Sequence, residues 1–115
     1  MAGGLEVKSE RRGDVVVVAP QGEIAYTEAT VFRNAIKKAG DEKPAGIVVD
    51  LSKVEYMNTP GVAVLVEALQ ASRKNKNRLV LCGINQRVLA IFQIARLHTV
   101  FEIVESVEKA LAPKA

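Results

Sequence analysis

The sequence predicts an α/β fold in which a mixed, mostly parallel sheet of about five strands is covered by about four helices. A length of 115 residues allows one hydrophobic core and leaves no room for a second domain. Short runs such as 15–19 and 47–51 are apolar on both faces, as central strands of parallel sheets are. Segments with apolar residues at helical spacing alternate with these runs along the chain.

Nine elements are predicted, and together they form one domain over residues 5–111 with short tails at 1–4 and 112–115. In chain order they are strand 5–12, strand 15–19, helix 28–39, strand 47–51, helix 60–74, strand 78–82, helix 86–97, strand 101–104 and helix 106–111.

Several local signals set the predicted boundaries. Pro20 is expected to interrupt the second strand. Thr27 is a candidate N-cap for the first helix, whose apolar face includes Val31, and Gly40 is expected to end that helix. Residues 52–57 are predicted to be a connection without regular structure.

Composition argues against most catalytic chemistry. His98 is the only histidine and Cys82 the only cysteine, so the usual zinc ligand sets are unavailable, and Cys82 lies in an apolar run that predicts a buried, inert thiol. Neither standard glycine-rich phosphate motif occurs. Asp50 is interpreted as an acid at a strand end. We therefore expect a protein that is not an enzyme and needs no cofactor or metal.

Charge and hydropathy limit the partners. The net charge is +3, and the basic run at 73–78 is better explained as a solvated helix end and turn than as an anion or nucleic-acid site. With three Phe, two Tyr and no Trp, the chain lacks the aromatic platforms that stack single-stranded bases. No apolar stretch approaches the roughly 18 residues of a membrane span and no signal peptide is recognisable, so a cytoplasmic protein is expected.

In parallel sheets, functional surfaces tend to lie where strands end and helices begin. The loops predicted at that edge are residues 22–27, 52–59 and 83–87. The second of these belongs to a segment that stands out, Val-Val-Asp-Leu-Ser-Lys-Val-Glu-Tyr-Met-Asn-Thr-Pro-Gly-Val-Ala-Val-Leu at 48–65.

That segment resembles the STAS domain of bacterial anti-sigma factor antagonists. The Asp-Leu-Ser turn at 50–52 matches the family, and Asn-Thr-Pro-Gly at 58–61 stands where the family has Asp-Ser-Ser-Gly. Gly-Glu-Ile-Ala at 22–25 resembles the element before the first helix, and Leu-Cys-Gly-Ile-Asn at 81–85 resembles the strand and turn before the third. The resemblance spans about residues 7–111.

The resemblance implies a regulator that docks onto an anti-sigma factor with serine kinase activity, of the GHKL type, and frees a sigma factor. In the family the first Ser of Asp-Ser-Ser-Gly is phosphorylated by that kinase and restored by a phosphatase. The matching hydroxyl here is that of Thr59. A phosphate there would add roughly −1.5 to −2 charge to the docking face.

The chain departs from the family at three positions. Asn58 and Ala25 replace acids, which removes negative charge around the hydroxyl, and Pro60 replaces the second Ser. Thr59 and Pro60 are also the residue types of an ordinary helix start, as N-cap and first helical residue. Two alternatives therefore stay open beside the family's phosphorylated regulator: a relative that binds its partner without being switched, and one that is recognised by a different kinase.

Met57, Val62 and Leu65 are predicted to belong to the core. The residues expected to be exposed and to contact the partner are Glu23, Tyr26, Asn58, Thr59, Pro60, Gly61 and Val64. A second function also fits the resemblance, namely a non-enzymatic STAS adaptor subunit of a lipid or anion transport complex. A nucleotide-binding protein is a third, but no phosphate motif supports it.

Overall fold

A computed structural model describes residues 5–112, so the predicted tail at 1–4 and all but the first residue of the predicted tail at 112–115 lie outside the described part. The strands are β1 Glu6–Arg12, β2 Val15–Ile24, β3 Gly46–Asp50, β4 Val54–Met57, β5 Arg78–Cys82 and β6 Glu102–Val104. The helices are α1 Ala29–Asp41, α2 Thr59–Asn75, α3 Gln86–Ile94 and α4 Val107–Leu111, with a 3-10 turn at Leu97–Thr99.

The mixed α/β architecture is the predicted one, with six strands instead of five. The order across the sheet is β1-β2-β3-β5-β6; β1 is antiparallel to β2, and the other neighbours are parallel. The additional strand, β4, pairs in parallel with the last residues of β2. The prediction of an irregular connection at 52–57 was therefore wrong.

Pro20 does not interrupt β2, contrary to prediction. Val15 to Val18 pair with β3, and pairing with β4 starts at Gly22. Pro20 lies between the two pairings, where its missing N–H removes no ladder bond on that side of β2. One strand can therefore pass from one parallel neighbour to the next.

The ends of the first helix also differ from prediction. α1 starts at Ala29, and Thr27 does not cap it. Instead the Glu28 carboxylate accepts hydrogen bonds from the Thr27 hydroxyl (2.6 Å) and from the Ala25 N–H (3.2 Å), the second being half of a capping box. Gly40 lies inside α1, and the left-handed residue that follows the helix is Lys43.

Two further helix predictions need correction. Val31 is 46% exposed and lies outside the buried face of α1. α3 ends at Ile94, three residues early, because Arg96 takes a left-handed conformation that ends the helix. His98 therefore lies in the 3-10 turn and not in α3.

The sheet separates two cores of unequal size. The larger lies beneath α1, α2 and α3 and includes Phe32, Leu65, Phe92 and, as predicted, Met57 and Val62. The smaller lies beneath α4 on the other face and consists of Val17, Val48, Val80, Cys82 and Ala110. Cys82 is fully buried, as predicted.

Candidate functional site

At the carboxyl edge of the sheet, the side chain of Asn85 joins the loop before α3 to β4. Its amide nitrogen donates to the carbonyls of Val54 (3.0 Å) and Glu55 (3.2 Å). Its carbonyl oxygen accepts from the Val88 N–H (2.8 Å), so the same residue caps α3. One amide therefore attaches the α3 loop to β4.

The turn after β3 packs directly on the turn after β5. The Asp50 carboxylate accepts from the Ser52 N–H (3.0 Å), which confirms Asp50 as a strand-end acid in a local turn. Gly83 has a positive φ, and a Cβ there would lie 2.8 Å from the Ser52 Cβ. Only glycine allows this close approach.

Thr59 lies beside the loop that carries Glu23. The Asn58 N–H donates to the Ile24 carbonyl (2.9 Å), which joins the start of α2 to the end of β2. Asn58 is the N-cap and Thr59 the first helical residue, so the predicted N-cap role of Thr59 was wrong. The Thr59 side chain is exposed, and within residues 5–112 its hydroxyl has no hydrogen-bond partner.

Pro60 reduces the number of free donors at the start of α2. It has no N–H, and the N–H groups of Gly61 and Val62 are bonded to the Asn58 carbonyl at 2.9 and 3.2 Å. An ordinary helix start offers several free N–H groups to an anion. Here a phosphate on Thr59 would find fewer of them.

Gly61 is buried and not exposed as predicted. A Cβ at this position would lie 2.6 Å from Met57 Cγ and 2.8 Å from Ile24 Cγ2. The helix backbone therefore packs directly on the side chains of β2 and β4, and no partner can reach Gly61.

Val64 was also wrongly predicted to be exposed, since only 1% of it is accessible. It follows Gly61 by three residues and shares its inward helix face, whereas the outward face carries Thr59 and Ala63. The buried face of α2 is therefore wider than the sequence predicted.

The remaining predicted contact residues lie at the surface. Tyr26 is 75% exposed at the tip of its loop, and Glu23 is exposed close by. Asn58 and Pro60 are half-buried on the α2 side. A large exposed tyrosine beside a free hydroxyl gives this edge the composition of a protein-binding surface.

Three residues of the same edge were missed by the sequence analysis. The Arg87 guanidinium lies 5.2 Å from the centre of the Tyr56 ring in a cation–π contact. Exposed Ala63, one helical turn after Thr59, also belongs to the surface. The alternation of β4 would have placed Tyr56 here, but four residues are too few to show a strand period.

Within the described residues, no three His, Cys, Asp or Glu side chains are grouped so that they could hold a metal. Burial, with the nearby carboxylates of Asp50 and Glu108, raises the pKa of the Cys82 thiol to about 12, so the thiol stays protonated and unreactive at neutral pH.

Family comparison agrees with this architecture. The STAS domain family matches residues 6–110, and the chain belongs to that family. Among curated relatives, the anti-sigma-B factor antagonist of Listeria monocytogenes is 33% identical over 99 residues, which are 86% of each chain. That of Staphylococcus aureus is 31% identical over 104 residues, 90% of this chain and 96% of the relative.

Solved structures share the fold. An anti-sigma factor antagonist from Mycobacterium paratuberculosis superposes with a TM-score of 0.86 at 22% identity, covering 94% of this chain and 92% of the other. The phosphorylated form of the Bacillus cell fate determinant SpoIIAA gives 0.72 at 18% identity, covering 92% and 96%. Among the described residues, no helix has the length and apolar character needed to cross a membrane.

Proposed function

We propose that this chain is an anti-sigma factor antagonist, which binds an anti-sigma factor in the cytoplasm and so frees a sigma factor. The observation that carries the proposal is the exposed Thr59 hydroxyl at the start of α2, next to Asn58, whose N–H bonds to the end of β2 that carries Glu23 and leads to Tyr26. The names of the curated relatives support the same function.

Docking uses the exposed or half-buried residues of this edge, which we name the docking face: Glu23, Tyr26, Asn58, Thr59 and Pro60. Tyr26 is its anchor, because a mostly exposed aromatic ring gains much buried area when a partner covers it. Asn58 and Ala25 stand where the family has acids, so two of the family's carboxylates are missing near the hydroxyl.

Regulation acts through phosphorylation of Thr59 by the partner, a GHKL-type kinase, and a phosphatase reverses it. The hydroxyl is accessible and has no hydrogen-bond partner in residues 5–112, so a kinase can reach it without unfolding α2. A phosphate is costly to remove from water, so its charge would disfavour contact with a partner surface that fits a neutral hydroxyl.

The test measures binding to an anti-sigma factor of the organism that carries this gene. We expect Tyr26→Ala to weaken binding at least ten-fold and Thr59→Glu to abolish it. Val31→Ala on the outer side of α1 is the matched control, since it also shortens an exposed apolar side chain and leaves the affinity unchanged. Unchanged affinity of Tyr26→Ala would contradict docking through this face.

Phosphorylation is measured separately by incubation with the kinase and ATP followed by intact-mass and peptide analysis. The expected product carries one phosphoryl group on Thr59; Thr59→Ser keeps the modification and Thr59→Ala loses it. Thr99, another exposed threonine, is the internal control. Absence of modification on Thr59, with binding retained, would show an unswitched antagonist. Recovery of transporter subunits instead of an anti-sigma factor in a native pull-down would indicate the adaptor function.

A further inference from the structure

The end of the molecule opposite the docking face is strongly basic. α1 and α2 lead into the first residues of β3 and β5, which are parallel, so both helices end at the same edge of the sheet. The exposed cations of residues 36–43 and 72–77 are Lys37, Lys38, Lys43, Arg73, Lys74 and Lys76. The acids at this end include Asp14, Asp41, Glu42 and Glu102, of which Glu42 is paired with Arg11 at 3.1 Å and Glu102 with Arg78, so the cations outnumber them.

Several cations at this end of the molecule have a strained backbone conformation. Within residues 5–112, the non-glycine residues with positive φ are Lys43 (53°), Lys76 (58°) and Arg96 (60°). They follow the ends of α1, α2 and α3, where glycine is the residue that avoids the steric cost. Cations within the last helical turn are explained by the helix dipole, but a strained position just beyond the helix favours glycine over lysine.

The ends of α1 and α2 border a groove of about 420 Å³ whose lining includes Lys43, Asn75 and Asn77. The third helix reaches the same edge of the sheet, because α3 follows β5 and its turn leads into the first residue of parallel β6. Its end carries two exposed aliphatic side chains, Ile94 at 86% and Val100 at 43%. The ends of α1, α2 and α3 thus place cations and aliphatic side chains at the same edge of the sheet.

We propose that this basic end is a peripheral docking surface for an anionic lipid membrane. Lysine is depleted at protein–protein interfaces, whereas basic side chains beside exposed aliphatic groups are typical of proteins that lie on a charged bilayer. Nucleic acid is disfavoured because, in the described part of the chain, the exposed large apolar side chains at this end are aliphatic and offer no stacking platform.

Membrane binding in this orientation leaves the docking face in solution. The opposite edge carries Glu23, Glu28 and Glu55 beside Lys53 and Arg87, so it is not basic and does not attract an anionic bilayer. The two surfaces would thus be occupied at the same time. This inference does not depend on the identity of the partner at Thr59.

The test is co-sedimentation with vesicles of phosphatidylcholine alone and of phosphatidylcholine with 30% phosphatidylglycerol. The decisive variant is the triple substitution Lys43→Gly, Lys76→Gly and Arg96→Gly. It removes three cations and also relieves strain, so its melting temperature is expected to equal or exceed that of the wild type. Binding to anionic vesicles should fall about a hundred-fold, or roughly five-fold for each cation removed.

A second triple variant, Lys8→Gln, Lys53→Gln and Lys109→Gln, removes the same net charge away from the three helix ends and should bind like the wild type. Raising the salt to half-molar should release the wild-type protein from anionic vesicles. Equal binding to both vesicle types, equal loss in both triple variants, or preferential release by duplex DNA at low salt would each overturn the proposal.

Discussion

Gly61 fixes the distance between α2 and the strands beneath it. An added methyl group would lie within 3 Å of buried atoms of both Met57 and Ile24, neither of which can move into open space. We expect Gly61→Ala to lower the free energy of unfolding by about 1–3 kcal/mol, as overpacking does. Urea unfolding followed by far-UV circular dichroism measures the change.

Gly40→Ala is the matched control, because Gly40 also lies inside a helix but has open space around an added Cβ. There the substitution should stabilise the protein by about 0.4–1 kcal/mol. Equal effects at the two positions would contradict the close contact at Gly61.

The buried Cys82 thiol makes the free energy of unfolding decrease at alkaline pH. The folded-state pKa of its thiol is raised to about 12, whereas an unfolded cysteine titrates near 8.5. A raised folded pKa contributes stability that is complete below about pH 8.5 and is lost as the pH rises toward 12. The stability of wild type relative to Cys82→Ala should therefore decrease from pH 8 to pH 10, and a constant difference would argue against the buried thiol.

At single positions the sequence predicted buried residues better than exposed ones. Cys82, Met57, Val62 and Leu65 are buried as expected. Gly61 and Val64 were misjudged because the inward stripe of α2 is wider than the spacing of its largest side chains suggests. Helical periodicity defines a direction, but the width of the buried face depends on what lies opposite, here β4 and β2.

Among the elements, β4 depends on a single side chain from another loop. Asn85→Ala would remove two donors to the carbonyls of Val54 and Glu55 and the cap of α3. We expect a loss of about 1–3 kcal/mol and faster amide hydrogen exchange in β4 than elsewhere in the sheet.

Asn34→Ala is the control for this change, because Asn34 is exposed on α1 and has no side-chain hydrogen bond within the described residues. Its unfolding free energy should stay within about 0.5 kcal/mol of wild type. Exchange that increases uniformly across the sheet in Asn85→Ala would show that β4 is not held independently.

The elements that the sequence predicted well are those with strong local signals. The limits of β5 agree at both ends, and Ser106 caps α4 by accepting from the Lys109 N–H. β4 was missed because a tertiary contact defines it, and the early end of α3 was missed because arginine is not a residue type that signals the left-handed conformation of Arg96. β4 exists by pairing with residues of β2 that lie some thirty positions earlier, and that pairing leaves no pattern in four residues.

For the whole molecule, one sheet supports both cores, so neither can unfold alone. Loss of β3 or β5 would expose Val48 and Val80 on one face together with Val49 and Leu81 on the other. We expect a single cooperative transition, in which far-UV circular dichroism and labelling of Cys82 report the same urea midpoint. Labelling that precedes the loss of secondary structure would show that α4 detaches first.

The whole fold was predictable because alternation of apolar strands and amphipathic helices restricts the topology to few solutions. The position of the candidate site followed from the same rule, since strand ends and helix starts meet at one edge. What could not be predicted was the distribution of charge between the two ends, because Lys43, Lys76 and Arg96 are far apart in sequence.

The contact between Gly61 and the strands has a mechanical implication for signalling at Thr59. With no gap beneath its first turn, α2 has no freedom to slide or tilt, so a chemical change on its outer surface has no route into the interior. An enzyme would modify Thr59 at the surface, and a partner would detect the change by direct contact with the same surface. The protein would then keep the same conformation whether or not Thr59 is modified.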